Sequence, residues 1–237
     1  MISIPLFLTE KHPCSYLDGK NAQPAFVHPA FGMTAAIYSE LIKQGFRRSG
    51  DEVYSPHCPD CSACIPARLS VREFLPSRSQ KRCMQKNSHT QVAVKPPVFN
   101  KGHYEMFLRY QTTRHQDGSM AKSGKKDYIN FLKSNWCDTH FVEFSINGEL
   151  AAIAVVDDLG DSLSAVYTFF DPKFSAYGLG VYAVLWQIEW AKTLQRDYLY
   201  LGFWIKQCRK MSYKNNYQPL QILKDKQWIT AEPSTVL

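Results

Sequence analysis

The chain has 237 residues, of which 45% are hydrophobic and 21% are charged, a composition typical of a folded globular protein rather than a disordered one. Its length is sufficient for one large domain or two small ones. The sequence contains neither a run of 18 apolar residues nor a basic N-terminal stretch followed by an apolar one, so we expect a cytoplasmic protein and no membrane partner. Seven cysteines, an odd number, favour free thiols or metal ligands over a disulfide framework.

The protein has a net charge of +7, and its positive charge is concentrated in the first part of the chain. Residues 1–96 hold 12 Lys and Arg against 7 Asp and Glu, a surplus of 5. A basic surface of this kind suits a polyanion such as tRNA, although a solvated helix face has the same composition. The excess of positive charge is greatest in residues 68–86, where Glu73 is the one acidic residue. The basic residues there are Arg68, Arg72, Arg78, Lys81, Arg82 and Lys86.

Residues 1–96 are predicted to form an N-terminal domain with short strands and two helices. Thr34 suits the N-cap of a helix, and Gly45 suits its C′ position. Ser77 and Gln80 have the spacing of a capping box, which predicts the start of a second, basic helix. The predicted elements are loops at Pro5–Pro29, a helix from Thr34 to Gln44, a hairpin turning at Gly50-Asp51, a strand at Pro66–Val71 and a helix at Arg78–Lys86.

Three cysteines follow the hairpin with a C-x2-C-x2-C spacing: Cys58, Cys61 and Cys64. This spacing allows several thiolates to converge on one metal ion. Cys14 is available to complete a four-thiolate site, which would suit zinc or an iron–sulfur cluster. The sequence therefore predicts a metal-capable site at these four cysteines.

Residues 97–237 are predicted to form a C-terminal domain, which the polar, Pro-containing stretch 87–100 separates from the first. Asn147-Gly148 is a strong signal for a type I′ turn between two strands. The predicted elements are helices at Tyr104–Arg114 and Asp127–Asn135, a hairpin of Phe141–Ile146 with Leu150–Asp157, a strand at Ser162–Phe170, a helix at Val181–Leu194 and a strand at Tyr198–Trp204.

This order of two helices, three antiparallel strands, a helix and a further strand is that of the acyl-CoA N-acyltransferase (GNAT-type) fold. We therefore expect an α+β protein with a GNAT-type mixed sheet flanked by helices and a smaller Cys-containing N-terminal domain. Gly178 and Gly180 stand at the start of the helix in the final β-α-β unit. Backbone N–H groups there can hold an anion or a developing oxyanion. A tight turn with close packing is the alternative explanation of the two glycines.

The segment YLGFWIKQCRKMSYK, residues 200–214, resembles the C-terminal signature of the aminoacyl-tRNA–protein transferases of the N-degron pathway. GFRRSG at 45–50 and SRSQKR at 77–82 resemble motifs of that family's N-terminal domain. HPCSYL at 12–17 and HCPDCSACIP at 57–66 resemble the bacterial members. Those enzymes transfer leucine from leucyl-tRNA to proteins that begin with Asp or Glu.

The resemblance implies an enzyme that marks proteins for N-degron degradation, with leucyl-tRNA and proteins with N-terminal Asp or Glu as partners, and with no DNA or membrane partner. Because the donor is an activated ester, the chemistry requires no cofactor. Zinc or an iron–sulfur cluster at the cysteines is a separate expectation. Leu17 stands where the eukaryotic arginyl-transferases have a further cysteine, so the resemblance supports Cys14 and Cys61 more than Cys58 and Cys64.

Aminolysis of an ester requires proximity, oxyanion stabilisation and a path for the proton. We expect Asp171 to orient the acceptor amine or to take its proton. We expect the hydroxyls of Tyr167 or Tyr200, or backbone N–H groups near the central strand, to stabilise the oxyanion. The alternative for Asp171 is a plain turn residue before Pro172.

Basic side chains are expected to bind both substrates. Two adjacent arginines in a strand point to opposite faces, so one of Arg47 and Arg48 can face the carboxylate of the acceptor while the other does not. The alternative is that these residues are surface charges of a hairpin and that Lys214 caps a helix. The acceptor-binding candidates are Arg47, Arg48, Lys210 and Lys214. The tRNA-binding candidates are Arg78, Lys81, Arg82, Gly178, Gly180, Trp204 and Tyr213.

Three other functions stay open on the sequence alone. An arginyl-tRNA–protein transferase on the same scaffold differs in its donor. An acyl-CoA-dependent N-acetyltransferase would use the same fold, but Ser175 stands where its pyrophosphate loop usually has Gln or Arg. A non-catalytic tRNA-binding module would use the aromatic residues of Tyr198–Trp204 to stack bases.

Overall fold

A computed structural model of the protein describes residues 3–114 and 124–231. None of the helices in these ranges has the length and apolarity needed to cross a membrane. The strands are β1 (Leu6–Leu8), β2 (His12–Pro13), β3 (Asn21–Ala22), β4 (Pro24–Val27), β5 (Arg47–Ser49), β6 (Glu52–Pro56), β7 (Ile65–Ser70), β8 (Gln91–Lys95), β9 (Asp138–Ile146), β10 (Glu149–Asp158), β11 (Ser162–Phe170), β12 (Tyr198–Trp204), β13 (Leu220–Lys224) and β14 (Gln227–Thr230). The helices are α1 (Ala35–Lys43), α2 (Arg78–Lys86), α3 (Lys101–Arg114), α4 (Lys125–Leu132), α5 (Leu179–Thr193) and α6 (Arg209–Ser212).

Most strands lie in one eight-stranded sheet with the order β14-β13-β7-β12-β11-β10-β9-β8. β11 and β12 run parallel, whereas the other described pairs of this sheet run antiparallel, so the sheet is mixed. A second sheet has the order β1-β4-β6-β5, and β2 pairs with β3.

Helices pack on both faces of the eight-stranded sheet, and the alternation along β10 shows why. Ala152, Ala154 and Val156 belong to the core that includes α5. Ile153 and Val155 belong to the core that includes α3 and α4. All five side chains are fully buried, as expected when side chains on both faces of a strand are covered. The predicted α+β class with a mixed sheet flanked by helices is confirmed.

Local sequence signals set several element boundaries as predicted. β11 and β12 have the predicted bounds. Asn147 and Gly148 have φ angles of 52° and 78°, as a type I′ turn requires. Thr34 caps α1, and the capping box of Ser77 and Gln80 opens α2. Each of these signals acts between residues that are close in sequence, so the sequence alone is sufficient to predict it.

Other segments differ from the prediction. The segment Pro5–Pro29, predicted as loops, contains β1 to β4, and the stretch 87–100 contains β8, which pairs with β9. The hairpin of β13 and β14 was not predicted. All three residues of β1 are exposed, so no alternation marks it as a strand. The division at residue 96 stays a prediction, but the sheet does not follow it, because β7 and β8 pair with strands from residues 97–237.

The two parallel strands pair only where they begin. Ser162–Ser164 of β11 lie beside Tyr198–Tyr200 of β12, and the pairing ends there although both strands continue. Close to this point, the pairing of β11 with β10 and the pairing of β12 with β7 each contain a register irregularity. We call the space between Ala165–Phe170 and Leu201–Trp204 the strand wedge.

Candidate active site

Arg47 lies at the narrow end of the strand wedge. Its Nη1 donates to Oγ of Ser164 at 3.1 Å, and its Nη2 donates to the carbonyl oxygen of Ala165 at 3.0 Å. Gly202 of β12 has a φ of 80°, and a Cβ atom there would lie 3.2 Å from Cζ of Arg47. Glycine at this position therefore allows the guanidinium to lie against the backbone of β12.

Lys214 is a second buried cationic group in the wedge. Its Nζ donates to the carbonyl oxygen of Phe203 at 2.5 Å, and the residue is 2% exposed. Burial, together with the nearby charge of Arg47, lowers the pKa of Lys214 from 10.5 to about 7. Among residues 3–114 and 124–231, no Asp or Glu forms an ion pair with Arg47 or Lys214. The positive charge of the wedge is therefore not balanced by a described carboxylate.

Tyrosine hydroxyls surround these two groups. Burial raises the pKa of Tyr54, and the charge of Arg47 opposes that rise. The charge of Arg47 also acts on the hydroxyls of Tyr16 and Tyr213. Tyr213 is 42% exposed and Tyr16 is 39% exposed. The predicted contact of Tyr213 with tRNA stays a prediction.

Tyr167 of β11 also belongs to this cluster, since its hydroxyl interacts with that of Tyr16. Nε2 of the buried Gln111 donates to Oη of Tyr167 at 2.8 Å. Because the phenol oxygen accepts this bond, its own O–H group is available to donate to another atom. Tyr167 as an oxyanion donor stays a prediction, and its surroundings are compatible with it.

Arg48 lies on the opposite face of β5 and is only 4% exposed. Its Nε and Nη2 donate to the two carboxylate oxygens of Asp157, each at 2.6 Å. Further bonds reach the carbonyl oxygens of Gly50 and Leu132 and the hydroxyl of Thr139. These contacts contradict the prediction that Arg48 binds an acceptor carboxylate, because its donors are directed at Asp157 and at other oxygens of the protein.

Tyr200 and Trp204 of β12 are also buried. The hydroxyl of Tyr200 accepts a bond of 3.2 Å from Nη1 of Arg68, and its ring lies 5.7 Å from that of Trp228. Trp204 is 2% exposed and packs in the core with α5. The burial of Trp204 in the core contradicts its prediction as a base-stacking residue, whereas Tyr200 as an oxyanion donor stays a prediction.

Asp171 is held by its neighbours. Nε and Nη2 of Arg109 donate to Oδ2 at 3.1 and 2.7 Å, and the N–H of Lys173 donates to Oδ1 at 3.1 Å. Burial opposes ionisation, but these bonds outweigh it and leave the pKa of Asp171 below its usual value. A carboxylate so stabilised is a poor proton acceptor, which argues against the proton-accepting role, whereas the predicted role in orienting the acceptor amine stays a prediction. The turn interpretation is supported, since Asp171 caps the 3-10 turn Pro172–Tyr177.

The turn before α5 is a meeting point of two helices. Gly178 has a φ of 65°, in the left-handed region, at the N-cap of α5. Nδ2 of Asn87 donates to the carbonyl oxygen of Tyr177 at 2.9 Å, and Nζ of Lys86 donates to that of Ala176 at 2.6 Å. A Cβ atom at Gly180 would lie 3.7 Å from Phe170, an ordinary packing distance. The basic helix α2 therefore lies directly against the GxG turn.

Arg78, Lys81 and Arg82 are exposed on α2. None of the three forms an ion pair within the described ranges. Lys210 is exposed on α6. The roles predicted for these residues, for Gly178 and for Gly180 stay predictions.

The four predicted cysteine ligands, Cys14, Cys58, Cys61 and Cys64, line one cavity of about 320 Å³ beside Tyr16. Burial and the proximity of the other three thiols raise the pKa of Cys64 to about 12. In the described part of the chain, no group of three or more His, Cys, Asp or Glu is arranged to hold a metal ion. Four thiols are a donor set that suits zinc or an iron–sulfur cluster. Their arrangement in this structure does not fit such a group, and the metal site stays a prediction.

The sequence interpretation missed Tyr16, Tyr54 and Gln111. Tyr54 carried a usable signal, because a turn at Gly50-Asp51 sets Arg47 opposite Tyr54 in the hairpin. Tyr16 and Gln111 approach the wedge only through long-range packing, which neither the HPCSYL motif around Tyr16 nor the helix pattern around Gln111 predicts.

Sequence comparison identifies the family. Two family models, described as Arginine-tRNA-protein transferase, N terminus, and Arginine-tRNA-protein transferase, C terminus, match residues 12–82 and 102–224. The aspartate/glutamate leucyltransferase of Alcanivorax borkumensis is 48% identical over 95% of this chain and 93% of the relative. The aspartate/glutamate leucyltransferase of Saccharophagus degradans is 45% identical over 96% of this chain and 97% of the relative. That of Teredinibacter turnerae is 45% identical over 100% of this chain and 98% of the relative. The chain belongs to the arginine-tRNA-protein transferase family.

Membership of this transferase family confirms the predicted resemblance and the predicted class of enzyme, an aminoacyltransferase. Arg47 lies in the N-terminal match, whereas Tyr167 and Lys214 lie in the C-terminal match. The strand wedge thus joins side chains from both family segments. The solved structure of L-PGS from Bacillus licheniformis has a TM-score of 0.48 and 12% identity, over 71% of this chain and 49% of that one, too low a likeness to support an argument.

Proposed function

We propose that the protein transfers leucine from leucyl-tRNA to the α-amine of proteins that begin with Asp or Glu and so marks them for N-degron degradation. The name shared by relatives that are 45–48% identical over nearly the whole chain supports this assignment. The structural observation that carries it is the strand wedge, in which Arg47 and Lys214 lie buried without a described carboxylate partner. A carboxylate next to the reacting amine of the acceptor supplies that partner.

The finer fold assignment, GNAT-type, is part of this proposal. It is supported by the order α3, α4, β9, β10, β11, α5, β12 and by the parallel pair β11 and β12, which loses its pairing partway along. The edge of β11 that faced β12 is without a strand partner beyond Ser164. Apart from the carbonyl oxygen of Ala165, which accepts from Arg47, backbone groups on that edge can contact a substrate.

The reaction is aminolysis of an ester. The nitrogen of the acceptor α-amine forms a bond to the leucyl carbonyl carbon, and the bond from that carbon to the ribose oxygen of the tRNA breaks. The amine loses a proton, and the ribose oxygen gains one. The pKa of an α-amine is about 8, so part of the acceptor is already neutral near pH 7. The enzyme therefore needs mainly to position the two substrates and to stabilise the oxyanion.

The side chains of the wedge divide this work. Arg47 and Lys214 bind the Asp or Glu carboxylate and so fix the adjacent amine. The O–H group of Tyr167 and the backbone N–H groups of β11 beyond Ser164 are the donors for the oxyanion. Nε2 of Gln111 orients Tyr167 by donating to its oxygen. No covalent intermediate on the enzyme and no cofactor is needed, because the donor ester is already activated.

The charge of the wedge also favours leucine over arginine as the transferred residue. A buried guanidinium requires an anionic or well-placed polar partner. Arg47 and Lys214 have no carboxylate partner among the described residues, so an arginyl side chain in the wedge would add a third positive charge with no anion to balance it. A leucyl side chain has no such requirement.

Donor and acceptor selection test this proposal together. The protein is incubated with leucyl-tRNA or arginyl-tRNA and with peptides that begin with Asp, Glu, Asn or Ala, and the products are identified by mass. We expect leucine on the Asp and Glu peptides. Loss of a charge-assisted hydrogen bond costs about 1.5–3 kcal/mol, so Arg47→Gln and Lys214→Met should each lower kcat/KM for Asp peptides roughly ten- to over a hundredfold.

Lys206→Met is the matched control, since Lys206 is exposed in the same loop region and has no assigned role. Lys210→Met, in the same series, tests the remaining predicted acceptor contact. Wild-type preference for Asp over Asn in both Arg47→Gln and Lys214→Met would show that the carboxylate is bound elsewhere. Transfer from arginyl-tRNA alone would overturn the leucyl assignment.

A further inference from the structure

One row of side chains crosses the whole four-stranded sheet. The register sets Phe7 of β1 beside Phe26 of β4, Phe26 beside Tyr54 of β6, and Tyr54 beside Arg47 of β5. The rings of Phe7 and Phe26 are 5.9 Å apart with an interplanar angle of 24°, and those of Phe26 and Tyr54 are 5.4 Å apart at 32°. Cross-strand partners lie on the same face of a sheet, so the three rings form a continuous surface, which we call the aromatic row.

The two faces of this sheet differ. The other face carries Ala25, Val27 and Val53, which are 2%, 8% and 1% exposed and partly pack with α1. On the face of the aromatic row, Phe7 is 41% exposed at the outer edge, and Phe26 and Tyr54 are half-buried. Burial of the row within this chain therefore does not explain why three rings in register occupy this face.

The inner end of the aromatic row reaches the strand wedge. The ring of Tyr54 lies 6.2 Å from that of Phe203 in β12. The carbonyl oxygen of Phe203 holds Nζ of Lys214. Neighbouring strands are about 4.8 Å apart, so the distance from Phe7 to Arg47 across three spacings is about 14 Å. The row thus leads from solvent to the proposed site of transfer.

We propose that the aromatic row stacks the unpaired 3′-terminal nucleotides of the donor tRNA and so delivers the esterified amino acid into the strand wedge. This inference rests on the proposed function. The amino acid is attached at the 3′ end of the tRNA, so the nucleotides next to it must lie close to the wedge during transfer. Every base has a flat face that can stack on an aromatic ring, and a sheet that carries such rings is a known way to bind single-stranded RNA.

The experiment compares binding of an RNA oligonucleotide that ends in ACCA with the KM for leucyl-tRNA. Phe7→Ala and Phe26→Leu should each weaken binding of the oligonucleotide and raise the KM, by about 5- to 150-fold for each stacked base. Phe7→Trp should keep wild-type binding, because it keeps an aromatic face. Leu8→Ala is the matched control, since Leu8 is exposed on the same strand but next to the row rather than in it.

Three outcomes would overturn the inference. The first is wild-type binding of the oligonucleotide and of leucyl-tRNA by both Phe7→Ala and Phe26→Leu. The second is a changed KM for the acceptor peptide with an unchanged KM for leucyl-tRNA, which would show that the row binds the acceptor. The third is a changed oligomeric state in gel filtration, which would make it an interface between copies of the chain. The oligonucleotide measurement involves no transfer, so failure of the proposed function, with no leucine moved by the wild type, is seen separately.

Discussion

Arg47 and Arg48 are neighbours in β5, yet they lie in two different electrostatic environments. Behind the strand, the side chains of Arg48 and Asp157 are 1% and 0% exposed and form a paired, bidentate contact. In the strand wedge, Arg47 and Lys214 donate to neutral acceptors, namely Ser164 Oγ and backbone carbonyl oxygens. One site is balanced in charge, and the other carries a surplus of positive charge.

This difference separates a structural site from a binding site. A buried arginine that is fully bonded to a carboxylate and to carbonyl oxygens has no capacity for a ligand. Buried cations without a counter-ion are costly to the folded chain, and the lowered pKa of Lys214 reflects that cost. Perturbed groups of this kind gather where a ligand is bound or chemistry occurs. The balanced pair should therefore dominate stability, and the wedge should dominate activity.

Breaking the Arg48–Asp157 pair should give the largest effect on stability. Asp157→Asn leaves a buried arginine without its counter-ion, which costs about 3–5 kcal/mol. We expect the melting temperature to fall by about 10 °C, since 1 kcal/mol corresponds to about 2–4 °C in a chain of this size. Thermal unfolding followed by circular dichroism measures the shift.

The exposed pair of Arg72 and Asp197, with side chains 76% and 52% exposed, provides the control. Asp197→Asn should change stability by less than about 1 kcal/mol. An Asp157→Asn variant that is no less stable than Asp197→Asn would show that the pair behind β5 has no structural role.

Replacing Lys214 should have a smaller effect on stability and in the opposite direction. The unfolded chain keeps Lys214 protonated up to its ordinary pKa of 10.5, whereas the folded chain does so only below about 7. The penalty for burying the charge is therefore complete below pH 7 and fades as the pH rises towards 10.5. Lys214→Met should therefore be more stable than the wild type at pH 6, and its advantage should be smaller at pH 9.

Urea unfolding at the two pH values measures this difference, with Lys206→Met as the control. A stability gain that is the same at pH 6 and pH 9 would show that the charge of Lys214 is not what destabilises the fold. A variant that is more stable and inactive would identify the wedge as a site where stability is given up for function.

Local sequence rules were sufficient to predict the elements around the wedge, but not the partners inside it. Strand alternation predicts that Arg47 and Arg48 face opposite ways. It does not predict which of the two pairs with a carboxylate of the protein, because Asp157 lies 109 residues further along the chain than Arg48. In the same way, the motif that contains Lys210 and Lys214 does not reveal that one lysine is exposed and the other buried.

The wrong site predictions have a related cause. Trp204 lies in a strand at the centre of the site, and a motif gives no information on which face its side chain occupies. The bulge between Tyr200 and Gly202 changes the alternation there. The proton-accepting role predicted for Asp171 fails because Arg109, from a helix 62 residues earlier, pairs with it, and no local pattern marks that contact.

Removing charge from α2 should have the smallest effect, because it changes neither the balanced pair nor the wedge. Arg78, Lys81 and Arg82 are exposed, and α2 packs against the start of α5 through other residues, such as Asn87. Each lost phosphate contact should reduce the salt dependence of tRNA binding by about 0.7–0.9 in the log–log slope. The triple variant with glutamine at all three positions should therefore bind tRNA more weakly, with a slope lower by about 2 to 3.

Glutamine keeps the helix propensity of α2, so the melting temperature should not change. Lys125→Gln together with Lys126→Gln, on the exposed first turn of α4, is the control for a general loss of positive charge. Filter binding of tRNA at a series of salt concentrations gives both slopes. If the α2 variant and the α4 variant lose the same amount for each charge removed, the helix acts only through the net charge of the protein. A loss confined to the α2 variant would place the tRNA backbone along α2, beside the GxG turn, and leave the wedge to bind the esterified end.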